Sequence, residues 1–210
     1  MIAALDALAR LREGNLRFVK NQTSGGAALN PTRRAALLAG QEPFAIVLGC
    51  SDSRVPAELV FDQGLGDLFV IRVAGNIVAP SQVGSVEFAA KRFGTRLVVV
   101  MGHSRCGAIM ATLEEVLGRA TTESRNLRSI VDRIRPSVEM MMISGRERVD
   151  PDALMHDAVR ANVRASTNHL RHGSELLEEM IRTESLLIVG AEYALETGVV
   201  SFFDGVPPAT

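Results

Sequence analysis

The chain has 210 residues, 22% of them charged, and a formal net charge of −1. A chain of this length can bury a sizeable core within one domain. The near-neutral charge indicates no general attraction to nucleic acid or to acidic membranes. The longest apolar runs are far shorter than a bilayer span, which predicts no transmembrane segment.

We expect a single domain with an N-terminal helical arm over residues 1–40, a core over 41–203 and a tail over 204–210. Apolar residues recur at roughly helical spacing over residues 5–19, which predicts an amphipathic helix. A second short helix is predicted over 32–38. The start of the chain does not resemble a secretory signal, because its charges lie among the apolar positions and no small-residue cleavage site follows. We therefore expect a cytoplasmic protein, unless an export leader has been trimmed.

Strand-like and helix-like segments alternate through the rest of the chain. The strand-like runs are short and apolar, as is typical of strands buried on both faces. The alternation predicts an α/β fold with a mainly parallel central sheet of four strands plus an edge strand, flanked by helices. The predicted strands are 44–48, 68–73, 97–101, 186–190 and, at the edge, 199–203. The predicted helices are 85–93, 108–117, 127–143, 152–170 and 174–183, the third of them kinked or interrupted at Pro136.

The two cysteines of the chain each belong to a polar motif that follows a predicted strand. Cys50 begins a Cys-Ser-Asp-Ser-Arg motif, and Cys106 ends a His-Ser-Arg-Cys motif that starts at His103. Loops distant in sequence meet beyond the carboxyl ends of strands in an open parallel sheet. Two thiolates and one imidazole suit a zinc ion with one open position, so this pattern predicts a Zn²⁺ site. A structural disulfide, or three unconnected buried side chains, is the alternative.

Asp52 and Arg54 lie two residues apart in the first of these motifs. An arginine can hold a carboxylate through two parallel hydrogen bonds and so fix its direction. A carboxylate fixed beside zinc could occupy the fourth ligand position or accept a hydrogen bond from the water bound there. An ordinary surface ion pair in a polar turn is the alternative.

These motifs resemble those of the β-class carbonic anhydrases, in particular the bacterial, open-site, plant-like members. The resemblance runs from about residue 18 to 203 and includes the segments 66–72, 74–76 and 84–88. It implies a carbonate dehydratase that carries one zinc ion per subunit. Its reaction is reversible hydration of carbon dioxide to bicarbonate and a proton, through attack by zinc-bound hydroxide. The resemblance also assigns Cys50, His103 and Cys106 as zinc ligands and Asp52 with Arg54 as the catalytic pair.

Four further residues receive substrate-binding roles from the resemblance. Gln41 matches a glutamine that positions bicarbonate, and Gly107 directly follows the second ligand motif. Phe69 and Phe88 match positions that line the apolar pocket for carbon dioxide, with plain core packing as the alternative.

The chain departs from family members that hold inhibitory bicarbonate in a side pocket of tryptophan, arginine and tyrosine. Arg72 and Tyr193 match the last two, but Val47 stands at the tryptophan position. We therefore expect an open site in which Asp52 pairs with Arg54 and becomes a zinc ligand only in a closed state.

The resemblance also implies a homodimer or a dimer of dimers, because the family builds its sites at a dimer interface, with the N-terminal helix embracing the neighbouring subunit. Two other functions stay open. One is hydrolysis of carbon disulfide or carbonyl sulfide on the same scaffold. The other is a non-catalytic zinc or redox-sensing module that uses Cys50 and Cys106.

Overall fold

The computed structural model describes residues 2–24, 31–122, 124–143 and 150–208, so the last two residues of the predicted tail lie outside the described residues. Within these ranges the chain forms a central sheet with helices on both faces. The strands are β1 Ala45–Gly49, β2 Leu68–Arg72, β3 Leu97–His103, β4 Leu187–Tyr193 and β5 Val200–Asp204. The helices are α1 Ala4–Val19, α2 Pro31–Ala36, α3 Ala57–Val60, α4 Pro80–Arg92, α5 Gly107–Val116, α6 Arg125–Ile143, α7 Pro151–His172 and α8 Glu175–Thr183. Two 3₁₀ turns lie at Leu37–Ala39 and Ala74–Asn76.

The sheet has the strand order β2-β1-β3-β4-β5. The first four strands are parallel, and β5 pairs with β4 in the antiparallel sense. The predicted fold class, a mainly parallel α/β sheet with an edge strand, is confirmed. Because β1 and β3 are direct neighbours, the loops that follow them lie side by side.

Alternate residues of the central strands face two helical layers. Val47 and Val99 face a cluster that includes the apolar side of α1. Ile46, Val98 and Val100 face a second cluster, to which α4, α7 and α8 contribute. Both faces are therefore covered, which explains why these strands are apolar without alternation.

The N-terminal helix lies on its own sheet. Leu8 and Leu11 of α1 are buried against the cluster that contains Val99. The side chain of Asn15 donates to carbonyls in α3 and in the turn between β4 and β5. Leu5 and Leu16, on the outer side of the helix, are exposed.

Two helices differ from their predicted form. α4 begins at Pro80 rather than at residue 85, because proline suits the first helical turn while Gly84 weakens the sequence pattern. α6 is continuous through Pro136, so the predicted interruption is wrong. None of the helices in the described ranges combines the length and the hydropathy needed to cross a membrane.

Candidate metal centre

Three side chains meet at the carboxyl ends of β1 and β3. Cys50 directly follows β1, His103 is the last residue of β3, and Cys106 stands immediately before α5. Their two sulfurs and one imidazole nitrogen lie within 4.8 Å of one another. Each residue is at most 5% exposed. The structure therefore brings together the three residues that the sequence predicts as zinc ligands.

This donor set fits a tetrahedral zinc ion. Two thiolates on one zinc, each at about 2.3 Å from it, stand roughly 3.8 Å apart, and the sulfurs of Cys50 and Cys106 are 4.0 Å apart. Nδ1 of His103 lies 2.9 Å from the carbonyl oxygen of Ser104, which can only accept, so Nδ1 donates and Nε2 keeps its lone pair. Among the described residues Nε2 has no hydrogen-bond partner, and it is buried, as a metal-binding nitrogen would be. Both cysteines are free, so they do not form the alternative disulfide.

The contact between the two sulfurs shifts their pKa values in opposite directions. Hydrogen bonding to Cys106 lowers the pKa of Cys50 to about 4, although burial opposes the change. The same contact raises the pKa of Cys106, while the backbone N–H groups of Ala108 and Ile109 act in the lowering direction. A divalent cation can take the place of the proton between the sulfurs, so that both bind it as thiolates.

Arg54 holds Asp52 beside the ligand cluster. The guanidinium Nε donates to Oδ1 (2.9 Å), Nη2 donates to Oδ2 (2.7 Å), and the backbone N–H of Arg54 also donates to Oδ1 (2.9 Å). These bonds hold the pKa of the Asp52 carboxyl well below its usual range. Oδ2 lies 3.9 Å from Nε2 of His103. Asp52 is thus an ionised carboxylate of fixed direction beside the three candidate ligands.

Arg72 fixes the loop that carries both Cys50 and Asp52. It ends β2, and its guanidinium donates to the carbonyl of Cys50 (3.0 Å) and to the carbonyl of Asp52 (2.5 Å). Sequence reasoning missed this role and considered Arg72 only for a bicarbonate side pocket. The available signal was its place near the carboxyl end of a predicted strand, where sites form in a parallel sheet.

The other two side-pocket positions lie on β1 and β4. Val47 is fully buried in β1. Tyr193 ends β4 in register with His103, and burial raises the pKa of its phenol. Its ring lies 6.5 Å from that of Phe18, between centroids.

The predicted substrate residues Gln41, Phe69 and Phe88 are not near this cluster in the same chain. Gln41 is exposed in an open cavity of about 930 Å³ at the amino ends of β1 and β3. Phe69 and Phe88 have ring centroids 6.2 Å apart between β2 and α4, and Phe88 is 54% exposed. Gly107, in contrast, is the first residue of α5, and a Cβ atom there would meet no atom of the described residues within 4 Å. The space beside Gly107 is therefore open.

Comparison with known proteins identifies relatives over most of the chain. The family model described as carbonic anhydrase matches residues 45–200. Carbonic anhydrase 2 of Mycobacterium tuberculosis (strain H37Rv) is 40% identical over 192 residues, which are 90% of this chain and 87% of the relative. The carbonic anhydrase of Mycolicibacterium smegmatis is 39% identical over 194 residues, 90% of this chain and 88% of the relative.

Solved structures share the fold. A tetrameric β-carbonic anhydrase of Sordaria macrospora superposes with a TM-score of 0.75 at 21% identity, over 94% of this chain and 97% of that one. The β-carbonic anhydrase CcaA superposes with a TM-score of 0.73 at 25% identity, over 94% of this chain and 95% of that one. The resemblance predicted from the motifs is confirmed: the chain belongs to the carbonic anhydrase family of enzymes, and its fold is that of the β-class.

Proposed function

We propose that this protein catalyses the zinc-dependent, reversible hydration of carbon dioxide to bicarbonate and a proton. The observation that carries the proposal is the convergence of two sulfurs and an unpartnered imidazole nitrogen within 4.8 Å, with an ionised carboxylate beside them. Cys50, His103 and Cys106 would hold one zinc ion per subunit. Bound there, zinc supplies the Lewis acidity that makes water a nucleophile near neutral pH.

Asp52 is the hydrogen-bond acceptor and orienting group in this proposal. It is ionised, and Arg54 directs both of its oxygens, so it can accept a hydrogen bond from the attacking water throughout the reaction. Arg72 keeps Cys50 and Asp52 on one rigid loop, because it bonds the carbonyls of both residues. The full set of bonds from Arg54 supports the open resting state, in which Asp52 does not bind the metal.

The substrate residues would reach the metal of a second subunit. The edge strand β2 pairs with β1 on one side only within the described chain. Two copies of β2 paired across a two-fold axis would run antiparallel, which would bring the amino end of one sheet to the carboxyl end of the other. Gln41, Phe69 and Phe88 would then approach the partner's zinc site.

Exposed apolar side chains near β2 support this dimer. Leu59 is 62% exposed and Leu65 is 38% exposed in the segment that leads into β2, and the ring of Phe88 is also exposed. Phe69 and Phe88 would form the apolar pocket for carbon dioxide, and Gln41 would donate to bicarbonate. Measurement of mass in solution tests whether two such dimers associate into the expected dimer of dimers. Fractionation of cells tests the predicted cytoplasmic location.

The test combines metal analysis of the purified chain with a stopped-flow assay of carbon dioxide hydration. We expect about one zinc per chain, and hydration that chelation abolishes and added zinc restores. Folded protein without zinc would contradict the proposal. Zinc-loaded protein that releases sulfide from carbon disulfide, but does not hydrate carbon dioxide, would support the alternative hydrolase.

A further inference from the structure

A short turn behind Cys50 directs a backbone donor at its sulfur. The turn is Ala74–Asn76, which closely follows β2. The N–H of Gly75 donates to Sγ of Cys50 across 3.4 Å, and this contact is buried. The N–H of Val73 donates to the carbonyl of Gly49 (3.1 Å) and ties the start of the turn to the end of β1.

The turn has an unusual backbone that leaves little space around it. Gly75 (φ 68°) and Asn76 (φ 44°) both lie in the left-handed region, which glycine and asparagine tolerate best. A Cβ atom at Gly75 would lie 2.8 Å from Cδ1 of Ile134 and 3.1 Å from Cβ of Ala108. The direction of the Gly75 N–H therefore depends on how the surrounding elements hold this turn.

Helix α7 holds the turn through two polar side chains one helical turn apart. Nδ2 of Asn162 donates to the carbonyl of Gly75 (2.8 Å). Oγ of Ser166 donates to the carbonyl of Asn76 (3.1 Å). Both side chains are buried, with 2% and 5% of the residue surface exposed. Residues four apart share one face of a helix, so α7 holds two consecutive carbonyls of the turn at once.

The same face of α7 lies against the strand end that carries His103. Gly102 has no side chain, and a Cβ atom there would lie 2.7 Å from Cγ2 of Val163 and 3.0 Å from Cγ1 of Val159. α7 thus touches β3 directly before His103 and also holds the turn behind Cys50. One rigid helix fixes the two metal-binding segments relative to each other.

We propose that Asn162 and Ser166 are positioning residues for the metal centre, which hold Gly75 so that its N–H points at the thiolate of Cys50. The inference rests on the proposed zinc site. A hydrogen bond to a metal-bound thiolate withdraws electron density from the sulfur and fixes its direction. It therefore offsets part of the charge that two thiolates bring to the ion. Neither side chain touches the reacting atoms, so both act through Gly75.

The experiment uses the full chain with cobalt(II) in place of zinc, because thiolate-to-cobalt charge transfer reports the electron density on sulfur. Asn162→Leu removes the donor but keeps the branched shape of the side chain, and Ser166→Ala removes the second bond. For Asn162→Leu we expect the charge-transfer band to move to longer wavelength. Release of zinc to a chelator should become about 10–100-fold faster, as for other residues that support metal ligands. Ser166→Ala should produce smaller changes in the same directions.

Thr167→Val is the matched control. Thr167 is buried on α7, but its hydroxyl bonds the carbonyl of Arg164 and the carboxylate of Asp204 (2.9 Å each) rather than the turn. Its substitution should lower thermal stability while the cobalt band and the rate of zinc release keep their wild-type values. Equal changes in this control would overturn the inference, because they would reflect the stability of α7 alone.

The possible outcomes distinguish failure of the positioning role from failure of the zinc site. A wild-type chain that shows no thiolate-to-cobalt band contradicts the zinc site itself. A normal wild-type band that neither Asn162→Leu nor Ser166→Ala alters overturns the positioning role and leaves the zinc site intact. If Asn162→Leu does not fold, the comparison of Ser166→Ala with Thr167→Val decides the question.

Discussion

The two ends of the central sheet carry different parts of the proposed site, and only one of these parts is fully assembled within one chain. At the carboxyl end, Cys50, His103 and Cys106 lie together, and Arg54 holds Asp52 beside them. At the amino end, Gln41 lies in an open cavity and Phe88 on an exposed surface. The five residues of β1 alone separate the two ends by about 16 Å at roughly 3.3 Å per residue.

This difference indicates that burial and hydrogen bonding within one subunit are enough to assemble the metal-binding half of the proposed site. The ligands are buried because strand ends, α5 and α7 enclose them, and no second chain is needed to bring them together. The exposed ring of Phe88 and the exposed Gln41 have no such enclosure. Substitutions at the carboxyl end should therefore act within one subunit, whereas those at the amino end should act on the neighbouring subunit.

The largest effect is expected from Cys50→Ser, which removes one of the three ligands. Zinc content should fall to background, and kcat/KM should fall by more than about 100-fold, since disturbing residues that only support metal ligands already costs 10–100-fold. Metal analysis and stopped-flow hydration measure both. Ser53→Ala, an exposed neighbour in the same loop, is the control and should keep wild-type zinc content. Full zinc occupancy in Cys50→Ser would show that the carboxyl end does not hold the metal as proposed.

The next effect is expected from Asp52→Asn, which removes the negative charge of the hydrogen-bond acceptor but keeps the shape of the side chain. We expect kcat/KM to fall by roughly 10²–10³-fold, the range for the loss of one preorganised hydrogen-bonding group. Zinc content should stay at the wild-type value, because Asp52 is bonded to Arg54 rather than placed among the ligands. Loss of zinc from this variant would instead indicate that Asp52 binds the metal at rest.

A smaller effect is expected from Gln41→Ala at the amino end. Loss of one hydrogen bond to bicarbonate should lower kcat/KM by about tenfold, as is typical of a bond to a charged group. Metal content and unfolding temperature should not change, since Gln41 is exposed.

Mixed dimers show which subunit Gln41 serves. A dimer of one Cys50→Ser chain and one Gln41→Ala chain contains one zinc site, in the Gln41→Ala chain. If the partner supplies the glutamine, that site is intact, and the mixture should be several-fold more active than either parent. If Gln41 acts within its own chain, mixing restores nothing, and the proposed arrangement of the two ends is wrong.

Sequence patterns were sufficient for the sheet and the ligand cluster because both follow from local rules. Short apolar runs gave the strands, and parallel topology places the residues after β1 and β3 side by side. The pairing of Asp52 with Arg54 followed from their two-residue spacing. Such features need only neighbours in sequence or neighbours in the sheet.

The support of the cluster could not be predicted, because it depends on contacts between distant segments. Asn162 reaches Gly75 across 87 residues, and Arg72 reaches the Cys50 carbonyl across 22. Nothing in the local pattern of α7 distinguishes Asn162 from other polar residues of the helix. The packing of α1 on its own sheet likewise follows from tertiary contacts, since an amphipathic pattern does not specify its partner.

The smallest effect concerns the stability that the Asp52–Arg54 pair gives to the carboxyl end within a single chain. The folded-state pKa of Asp52 is lowered, so its stabilising contribution is fully present above the unfolded pKa of about 3.9 and is lost as the pH falls through the folded value. Arg54 is half exposed, so solvent screening keeps this contribution small. Arg54→Leu should therefore lower the free energy of unfolding only slightly at pH 7, and the difference from wild type should shrink below pH 4. Denaturant titrations of chelator-treated protein exclude metal loss in acid, with Arg54→Lys as the control that keeps the charge. A difference that stays constant from pH 7 to pH 3 would mean that Arg54 stabilises the loop through packing, and that the fixed direction of Asp52 does not depend on its ionised form.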